Sequence, residues 1–191
     1  MMILVTGGAR SGKSAFAEKL AKETEKKTAY LATAQAVDEE MKKRIGAHQK
    51  RRPEGWMTVE WQKGFSGWTD GVFGTKENAV CKESAFQEAE LLLLDSLGML
   101  VNNALYHAGE AREGAGSLRE GFIRDLKAFM DWCRAQGKDL IMVTEEVGLG
   151  LVPEYPLGRL YRDFLGEVNQ AAAAASERVY LVVAGLPLQL K

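Results

Sequence analysis

The clearest chemical pattern in the chain is GGARSGKS at residues 7–14, which fits G-x-x-x-x-G-K-S/T. Glycines let the backbone curl so that successive N–H groups face one anion, and a following helix adds its partial positive charge. In this pattern the lysine reaches the β- and γ-phosphates of a nucleotide, and the Ser/Thr hydroxyl binds Mg²⁺. The sequence therefore predicts a nucleotide-binding turn made of Gly7, Gly8, Ala9, Arg10, Ser11, Gly12, Lys13 and Ser14. Ser14 is its expected magnesium ligand.

A carboxylate ends another apolar run, because LLLLD at residues 91–95 closes on Asp95. In nucleotide hydrolases and kinases, an aspartate at the end of such a strand lies near Mg²⁺, directly or through water. The alternative is that Asp95 only caps the helical pattern that starts at Leu97. Because a phosphate-binding turn is present, we favour Asp95 as a second magnesium ligand.

The chain has two histidines, His48 and His107, and only His48 has neighbours that suggest chemistry. On a helix, Met41, Ile45 and His48 share one face, which is typical of a core histidine. The run QKRR at 49–52 follows, however, and arginine suits bidentate contact with phosphate. A neutral imidazole beside such cations can attack phosphorus and form a phosphoramidate. Spacing alone leaves both interpretations open, as it does a solvated, cationic helix end.

Alternating strands and helices must position these residues. Short apolar runs typical of strands buried on both faces occur at 3–6, 28–32, 91–95, 140–144 and 178–184. Helical patterns lie between them, at 13–25, 38–50, 97–107, 117–136 and 157–176. This alternation predicts an α/β fold with a mostly parallel central sheet and helices on both faces. With the phosphate turn, we expect it to be of P-loop NTPase-like (RecA-like) type. Ser117, with Glu120, is expected to cap its helix, and Gly137 to end it.

Composition limits the classes of function. With 191 residues, 46% hydrophobic and 27% charged, the chain reads as one globular domain over 1–191. A net charge of −1 gives no basic surface for nucleic acid. No apolar run approaches the ~20 residues of a membrane span, and no signal-peptide pattern is present, so we expect a cytoplasmic protein. The glycine-rich, polar stretch 64–87 is expected to be a long loop or insertion.

Two further patterns in the chain indicate a family. They are D-x-E-M-x-x-R-I-x-x-H-x-x-x-R-P-x-x-W at 38–56 and EVGLGLVP at 146–153 with a later NQ at 169–170. Together with the phosphate turn, they make the chain resemble the bifunctional adenosylcobinamide kinase/adenosylcobinamide-phosphate guanylyltransferase family of cobalamin assembly. The resemblance covers nearly the whole chain. The turn is common to many phosphate-binding proteins, whereas the other two patterns are far more specific.

The resemblance implies two reactions. A nucleoside triphosphate, ATP or GTP, phosphorylates adenosylcobinamide, and GMP is then transferred from GTP to adenosylcobinamide phosphate through a guanylyl-histidine that maps to His48. It also implies a homotrimer with active sites at subunit boundaries. The further residues it places at the nucleotide are Ala32, Thr33, Ala34, Gln49, Lys50, Arg51, Arg52, Glu60 and Asp95.

The chain departs from the family pattern at three positions. The family often reads D-C-L-T after its third strand, whereas this chain has Ser96 and Gly98 in DSLG. The family commonly has S-N-E before V-G, and this chain has Glu145 in place of the asparagine. The 64–87 stretch also looks longer than usual. These departures bear on the corrinoid contacts and the kinase half rather than on the guanylyl-transfer residues.

Three other functions compete. A single-activity kinase or guanylyltransferase would use the same phosphate turn, and in a small-molecule kinase His48 would be structural. A GTP-binding switch typically selects guanine with an N-K-x-D run, which this chain lacks. A nucleic-acid helicase or ATPase module is disfavoured by the short chain and by the charge of −1.

Overall fold

The structure is a computed structural model that describes residues 1–34, 39, 46, 49, 51–62, 65, 84, 87–108 and 115–191. Seven strands and four helices are assigned within these residues. The strands are β1 (Met2–Gly7), β2 (Thr28–Ala32), β3 (Met57–Glu60), β4 (Leu91–Asp95), β5 (Asp139–Glu145), β6 (Arg178–Val183) and β7 (Leu186–Gln189). The helices are α1 (Lys13–Glu23), α2 (Leu97–Ala108), α3 (Ala115–Ala135) and α4 (Pro156–Ala175).

The seven strands form one sheet in the order β3-β2-β4-β5-β1-β6-β7. Every neighbouring pair is parallel except β6 and β7, which are antiparallel. Alternate side chains of a strand point to opposite faces, so Met2 and Leu4 pack with α2, α3 and α4, whereas Ile3 and Val5 pack with α1. The predicted α/β fold with helices on both faces of a mostly parallel sheet is confirmed.

Two strands at the sheet edges were not predicted from the sequence. β3 is only four residues long and half polar, and β7 contains Pro187, which argues against a strand except at an edge. Both strands lie at the ends of the sheet order, where such residues are tolerated. Continuous apolar runs therefore do not predict these two edge strands.

The predicted N-cap of α3 is wrong, and the predicted glycine at its C-terminal end is confirmed. Ser117 lies inside the helix rather than at its N-cap, because α3 already begins at Ala115. Gly137 does end it, with φ 65°. The N–H groups of Gly137 and Lys138 donate to the carbonyls of Arg134 and Cys133, which is the Schellman arrangement.

Parts of two predicted segments lie outside the described residues. Of the predicted helix 38–50, Glu39, Gly46 and Gln49 are described, and each has helical backbone. His48 and Lys50 lie outside, as does most of the predicted loop 64–87. Phe65 is described and is buried among the aromatic side chains under α3.

Candidate active site

The carboxyl ends of five strands bring the candidate residues to one edge of the sheet. The strand register pairs Gly7 with Glu145, and Ala32 with both Glu60 and Asp95. In open α/β sheets, ligands bind outside this edge. The sequence-predicted residues of β1, β2, β3 and β4 therefore lie along the same edge of the sheet, although they are far apart in the chain.

The phosphate turn joins β1 to α1 and depends on two glycines. Gly12 has φ 93°, where side chains are strained, and it precedes the first residue of α1. A Cβ on Gly7 would lie 2.5 Å from both Ser11 Oγ and the carbonyl oxygen of Val182. The buried hydroxyl of Ser11 has no hydrogen-bond partner within the described part of the chain. The turn is thus closely packed against Val182 at Gly7, and the Ser11 hydroxyl is a buried hydrogen-bond donor inside it.

Lys13 is buried at the start of α1, with 6% of its surface exposed. Its Nζ donates to the carbonyl of Gly8 at 3.3 Å and lies 3.6 Å from Glu145 Oε1. A buried ammonium needs such compensation, and a nucleotide phosphate would offer more of it. Lys13 therefore brings a buried positive charge to the phosphate turn.

Backbone hydrogen bonds fix the turn to its neighbours. The N–H of Glu146 donates to the Gly7 carbonyl at 3.1 Å, and the N–H of Gly185 donates to the Ser11 carbonyl at 2.8 Å. The segment after β5 and the turn between β6 and β7 thus hold both ends of the phosphate turn.

Asp95 ends β4 and is half-buried. Its Oδ2 accepts a hydrogen bond from Tyr30 Oη at 2.7 Å, and burial, followed by the charge of Asp95, raises the pKa of Tyr30. Tyr30 thus stays protonated and orients the carboxylate. It was not predicted as a site residue, because the pairing of β2 with β4 is seen only in the folded chain.

The donors at this edge are hard oxygens, which suit Mg²⁺. Ser14, in the first turn of α1, offers a hydroxyl, and Asp95 offers a carboxylate. Among the described residues, no three or more His, Cys, Asp or Glu side chains are grouped to hold a metal ion. A magnesium ion bound with a nucleotide does not require such a group, because it takes one or two protein carboxylates and completes its shell with phosphates and water. The residues present therefore fit Mg²⁺.

Glu145 is a carboxylate of the site that the sequence marked only as a departure from a family pattern. Both of its oxygens lie 3.1 Å from the hydroxyl of Ser96, which can donate to them. Burial, and then the charge of Asp95, raise the pKa of Glu145, while Lys13 and Ser96 oppose the shift. The signal that could have found it is the one used for Asp95, an acidic residue at the end of a buried strand.

Polar side chains behind the edge hold the strand ends together. Thr33 is fully buried, and its hydroxyl both accepts from the Ser96 N–H at 2.6 Å and donates to the Ser96 carbonyl. Asn169 of α4 donates to the Glu145 carbonyl at 3.0 Å and accepts from the Thr144 hydroxyl. Ala32 and Ala34 flank Thr33 and are half-buried. Thr33 and Asn169 thus brace the backbone of the site.

The remaining predicted residues lie at the side of α1 and β3. Arg51 pairs with Glu18 of α1, Arg52 lies over the ring of Tyr30, and Gln49 is exposed. Glu60, exposed at the end of β3, accepts a hydrogen bond from Gln62. His48 and Lys50 precede Arg51 in the sequence, outside the described residues.

Comparison with known proteins gives one consistent result. A family model described as cobinamide kinase / cobinamide phosphate guanyltransferase matches residues 3–190. The chain is 37% identical to the bifunctional adenosylcobalamin biosynthesis protein CobU of Escherichia coli, over the full length of both chains. It is 38% identical to the bifunctional adenosylcobalamin biosynthesis protein CobP of Pseudomonas aeruginosa, over the whole of this chain and 98% of that one.

Solved structures are more distant. The RadB recombinase matches 94% of this chain and 73% of its own, with 15% identity and a TM-score of 0.48. A KaiC-like protein of Pyrococcus horikoshii matches 94% and 69%, with 14% identity and a TM-score of 0.43. Separately, none of the helices that the structure describes is long and apolar enough to cross a membrane.

Proposed function

Because this chain belongs to the cobinamide kinase / cobinamide phosphate guanyltransferase family, we propose that it carries out both reactions of that description. It phosphorylates adenosylcobinamide with ATP or GTP, and it then transfers GMP from GTP to adenosylcobinamide phosphate, giving adenosylcobinamide-GDP and pyrophosphate. The observation that carries the proposal is the buried Lys13 in the phosphate turn, at the same sheet edge as Asp95 and Glu145.

The turn 7–14 holds the nucleotide phosphates in this proposal. Backbone N–H groups at the start of α1 face the anion, and Lys13 exchanges part of its contact with Glu145 for a phosphate oxygen. The buried Ser11 hydroxyl is a further donor inside the turn. Negative charge that develops on the phosphate oxygens in either reaction is stabilised here, because donors fixed by the fold need no reorganisation.

Ser14 and Asp95 are the residues that would hold Mg²⁺. When bound, the ion neutralises phosphate charge. Tyr30 keeps the Asp95 carboxylate in place through its 2.7 Å hydrogen bond. The exposed carboxylate of Glu60 suits the N–H donors of a guanine base, and Ala32 is its partner in the strand register.

For the guanylyl transfer, we propose that His48 is the nucleophile. Its neutral imidazole forms a bond to the α-phosphorus of GTP, and the bond from that phosphorus to the bridging oxygen breaks, so that pyrophosphate leaves. A phosphate oxygen of adenosylcobinamide phosphate then attacks the same phosphorus and releases the imidazole. A covalent intermediate of this kind divides one difficult displacement into two easier ones.

The kinase half needs no protein nucleophile. It requires the acceptor hydroxyl of the corrinoid in line with the γ-phosphate, so that catalysis is mostly positioning and charge stabilisation. Glu145 and Lys13 lie 3.6 Å apart at the position that a γ-phosphate would approach.

We propose further that the protein is a cytoplasmic homotrimer with active sites at the subunit boundaries. The segment 146–155, which begins beside the phosphate turn, carries large apolar side chains that are mostly in solvent. Their exposed fractions are 85% for Leu149, 96% for Leu151, 60% for Val152 and 65% for Tyr155. A subunit boundary at the active site would cover these side chains.

The test uses GTP radiolabelled at its α-phosphorus, with Mg²⁺, followed by denaturing electrophoresis. Wild type and His107→Ala, which changes an exposed histidine at the end of α2, should take up acid-labile, alkali-stable label, and His48→Ala should take up none. GTP or ATP labelled at its γ-phosphorus should phosphorylate adenosylcobinamide with wild type and His48→Ala, but not with Lys13→Ala. No protein label on folded wild type would contradict the transferase mechanism and favour a kinase with an ordinary core histidine.

A further inference from the structure

A buried acidic side chain lies on α1, five residues after Lys13. Glu18 is 3% exposed, and a carboxylate at that depth needs a charged partner. Arg51 supplies it, because its Nε lies 3.3 Å from one carboxylate oxygen and its Nη2 3.3 Å from the other. This two-point contact fixes the guanidinium in orientation as well as in position.

The backbone of Arg51 is tied to the same helix. Lys22, one turn further along α1, donates from Nζ to the Arg51 carbonyl at 3.0 Å. Side chain and carbonyl of Arg51 are therefore both held by the helix that begins at the phosphate turn. A guanidinium engaged in this way has its fork directed at Glu18.

Arg52 is held by the sheet. Its Cζ lies 3.4 Å from the centre of the Tyr30 ring, and its Nη1 donates to the Thr58 hydroxyl of β3 at 3.2 Å. Tyr30 in turn donates to Asp95. A guanidinium stacked on an aromatic face is a stable anchor.

We infer that Arg51 and Arg52 are positioning residues, which hold the chain directly after His48 against α1 and β2, and that Glu18 is the essential partner of Arg51. This inference rests on the proposed function of His48, which precedes Arg51 by three residues in the sequence. Attack on phosphorus requires the imidazole in line with the leaving group, and small misplacements cost large factors in rate. The family resemblance instead makes both arginines contacts of GTP, so the two roles give different results.

The experiment compares Glu18→Gln, which keeps the shape and removes the charge, with Arg51→Lys, which keeps the charge and removes the fork. Glu23→Gln is the matched control, because it removes an exposed carboxylate of the same helix that pairs with Lys19 at the surface. Rates of label transfer from GTP to protein are measured in a single turnover at saturating GTP, and GTP dissociation constants by equilibrium dialysis. Thermal unfolding checks that each variant is folded.

We expect Glu18→Gln and Arg51→Lys each to slow label transfer by about tenfold or more, with the GTP dissociation constant within about threefold of wild type. Glu23→Gln should match wild type. The rate of label transfer in the double variant should be no lower than in the slower single variant, because both substitutions break the same contact. Arg51→Lys changes a half-exposed side chain, so we expect this variant to fold. It therefore tests the inference even if Glu18→Gln unfolds.

Two outcomes would overturn the inference, and they differ from failure of the proposed function. A large rise in the GTP dissociation constant for Arg51→Lys, with Glu18→Gln unchanged, would make Arg51 a nucleotide ligand. Label transfer at the wild-type rate in both variants would remove the positioning role but leave the guanylyl-histidine intact. No label on wild type would contradict the guanylyl-histidine itself, and this role with it.

Discussion

The carboxylate of Glu145 occupies the space that a side chain on Gly98 would need. A Cβ on Gly98 would overlap Glu145 Oε2 and lie 2.9 Å from Tyr161 Oη. Ser96, two residues earlier, donates to the same carboxylate. The two departures from the family pattern in DSLG and the one at Glu145 therefore meet at one place. A small residue at 98 makes room for a longer acid at 145.

Replacing Gly98 should therefore destabilise the protein. We expect Gly98→Ala to lower the free energy of unfolding by about 1–3 kcal/mol, because overpacking beside two braced side chains outweighs the gain from alanine in a helix. In the Glu145→Ala background, the same substitution should cost much less than it does in wild type. Denaturant unfolding measures both.

The control is Gly166→Ala in α4, where a Cβ would meet nothing within 4 Å. It should stabilise the protein by about 0.5–1 kcal/mol, since a helix interior favours alanine over glycine. Equal loss of stability in Gly98→Ala with and without Glu145→Ala would show that Tyr161, rather than Glu145, sets the limit at position 98.

Removing the charge of Glu145 should strengthen nucleotide binding. Its Oε1 lies 3.6 Å from Lys13 Nζ, so the carboxylate competes with phosphate for that ammonium. We expect Glu145→Gln to tighten GTP binding without Mg²⁺ by about tenfold, which corresponds to ~1.4 kcal/mol. Equilibrium dialysis in EDTA and in Mg²⁺ provides the measurement. If Glu145→Gln instead bound GTP more weakly than wild type in Mg²⁺ but not in EDTA, Glu145 would be a ligand of the magnesium ion.

The same residue should make stability depend on pH. Burial raises the folded-state pKa of Glu145, so the folded protein holds its proton more tightly than the unfolded chain does. This contribution is complete below the unfolded pKa of about 4.3, and it is lost as pH rises through the folded value. The free energy of unfolding of Glu145→Gln relative to wild type should therefore increase between about pH 4 and pH 7. A difference independent of pH, in denaturant titrations, would contradict the shift.

Most of the fold follows from the sequence, because buried parallel strands are continuous apolar runs. The five predicted runs correspond to β1, β2, β4, β5 and β6. The phosphate turn and Asp95 were also predictable, since each follows such a strand. β3 and β7 were not, because edge strands pair on one side and need no apolar run.

The sequence predicts only part of the site, because residues such as Tyr30 and Glu18 act through contacts with distant elements. Tyr30 is an ordinary strand residue until its hydroxyl meets Asp95, 65 positions away in the chain. Glu18 is one of two acidic residues on α1, and only its contact with Arg51 distinguishes it. No local pattern distinguishes a buried ion pair from a solvated one, since burial is a property of the packed molecule.

Assembly should depend on the apolar segment 146–155. Leu151 is 96% exposed in the single chain, so Leu151→Asp should leave the subunit folded and weaken its association. We expect light scattering to give a mass of three times one chain for wild type and a smaller mass for the variant, with a parallel loss of activity. Tyr106→Ser, at a 79% exposed position on α2, is the control and should remain assembled. An unchanged mass for Leu151→Asp would place the boundary elsewhere.

Formation of the guanylyl-enzyme should fail in acid, because only the neutral imidazole of His48 has a lone pair for the α-phosphorus. A histidine with an ordinary pKa of about 6.5 is mostly neutral at pH 7.5 and mostly protonated at pH 5.5, so the single-turnover rate should fall about sevenfold to tenfold between them. His107→Ala should show the same profile. The Glu18→Gln variant should be slower at every pH but keep the midpoint, since a misplaced imidazole still titrates. A rate that stays flat from pH 5.5 to 7.5 would contradict rate-limiting attack by a His48 that titrates in this range in the GTP complex.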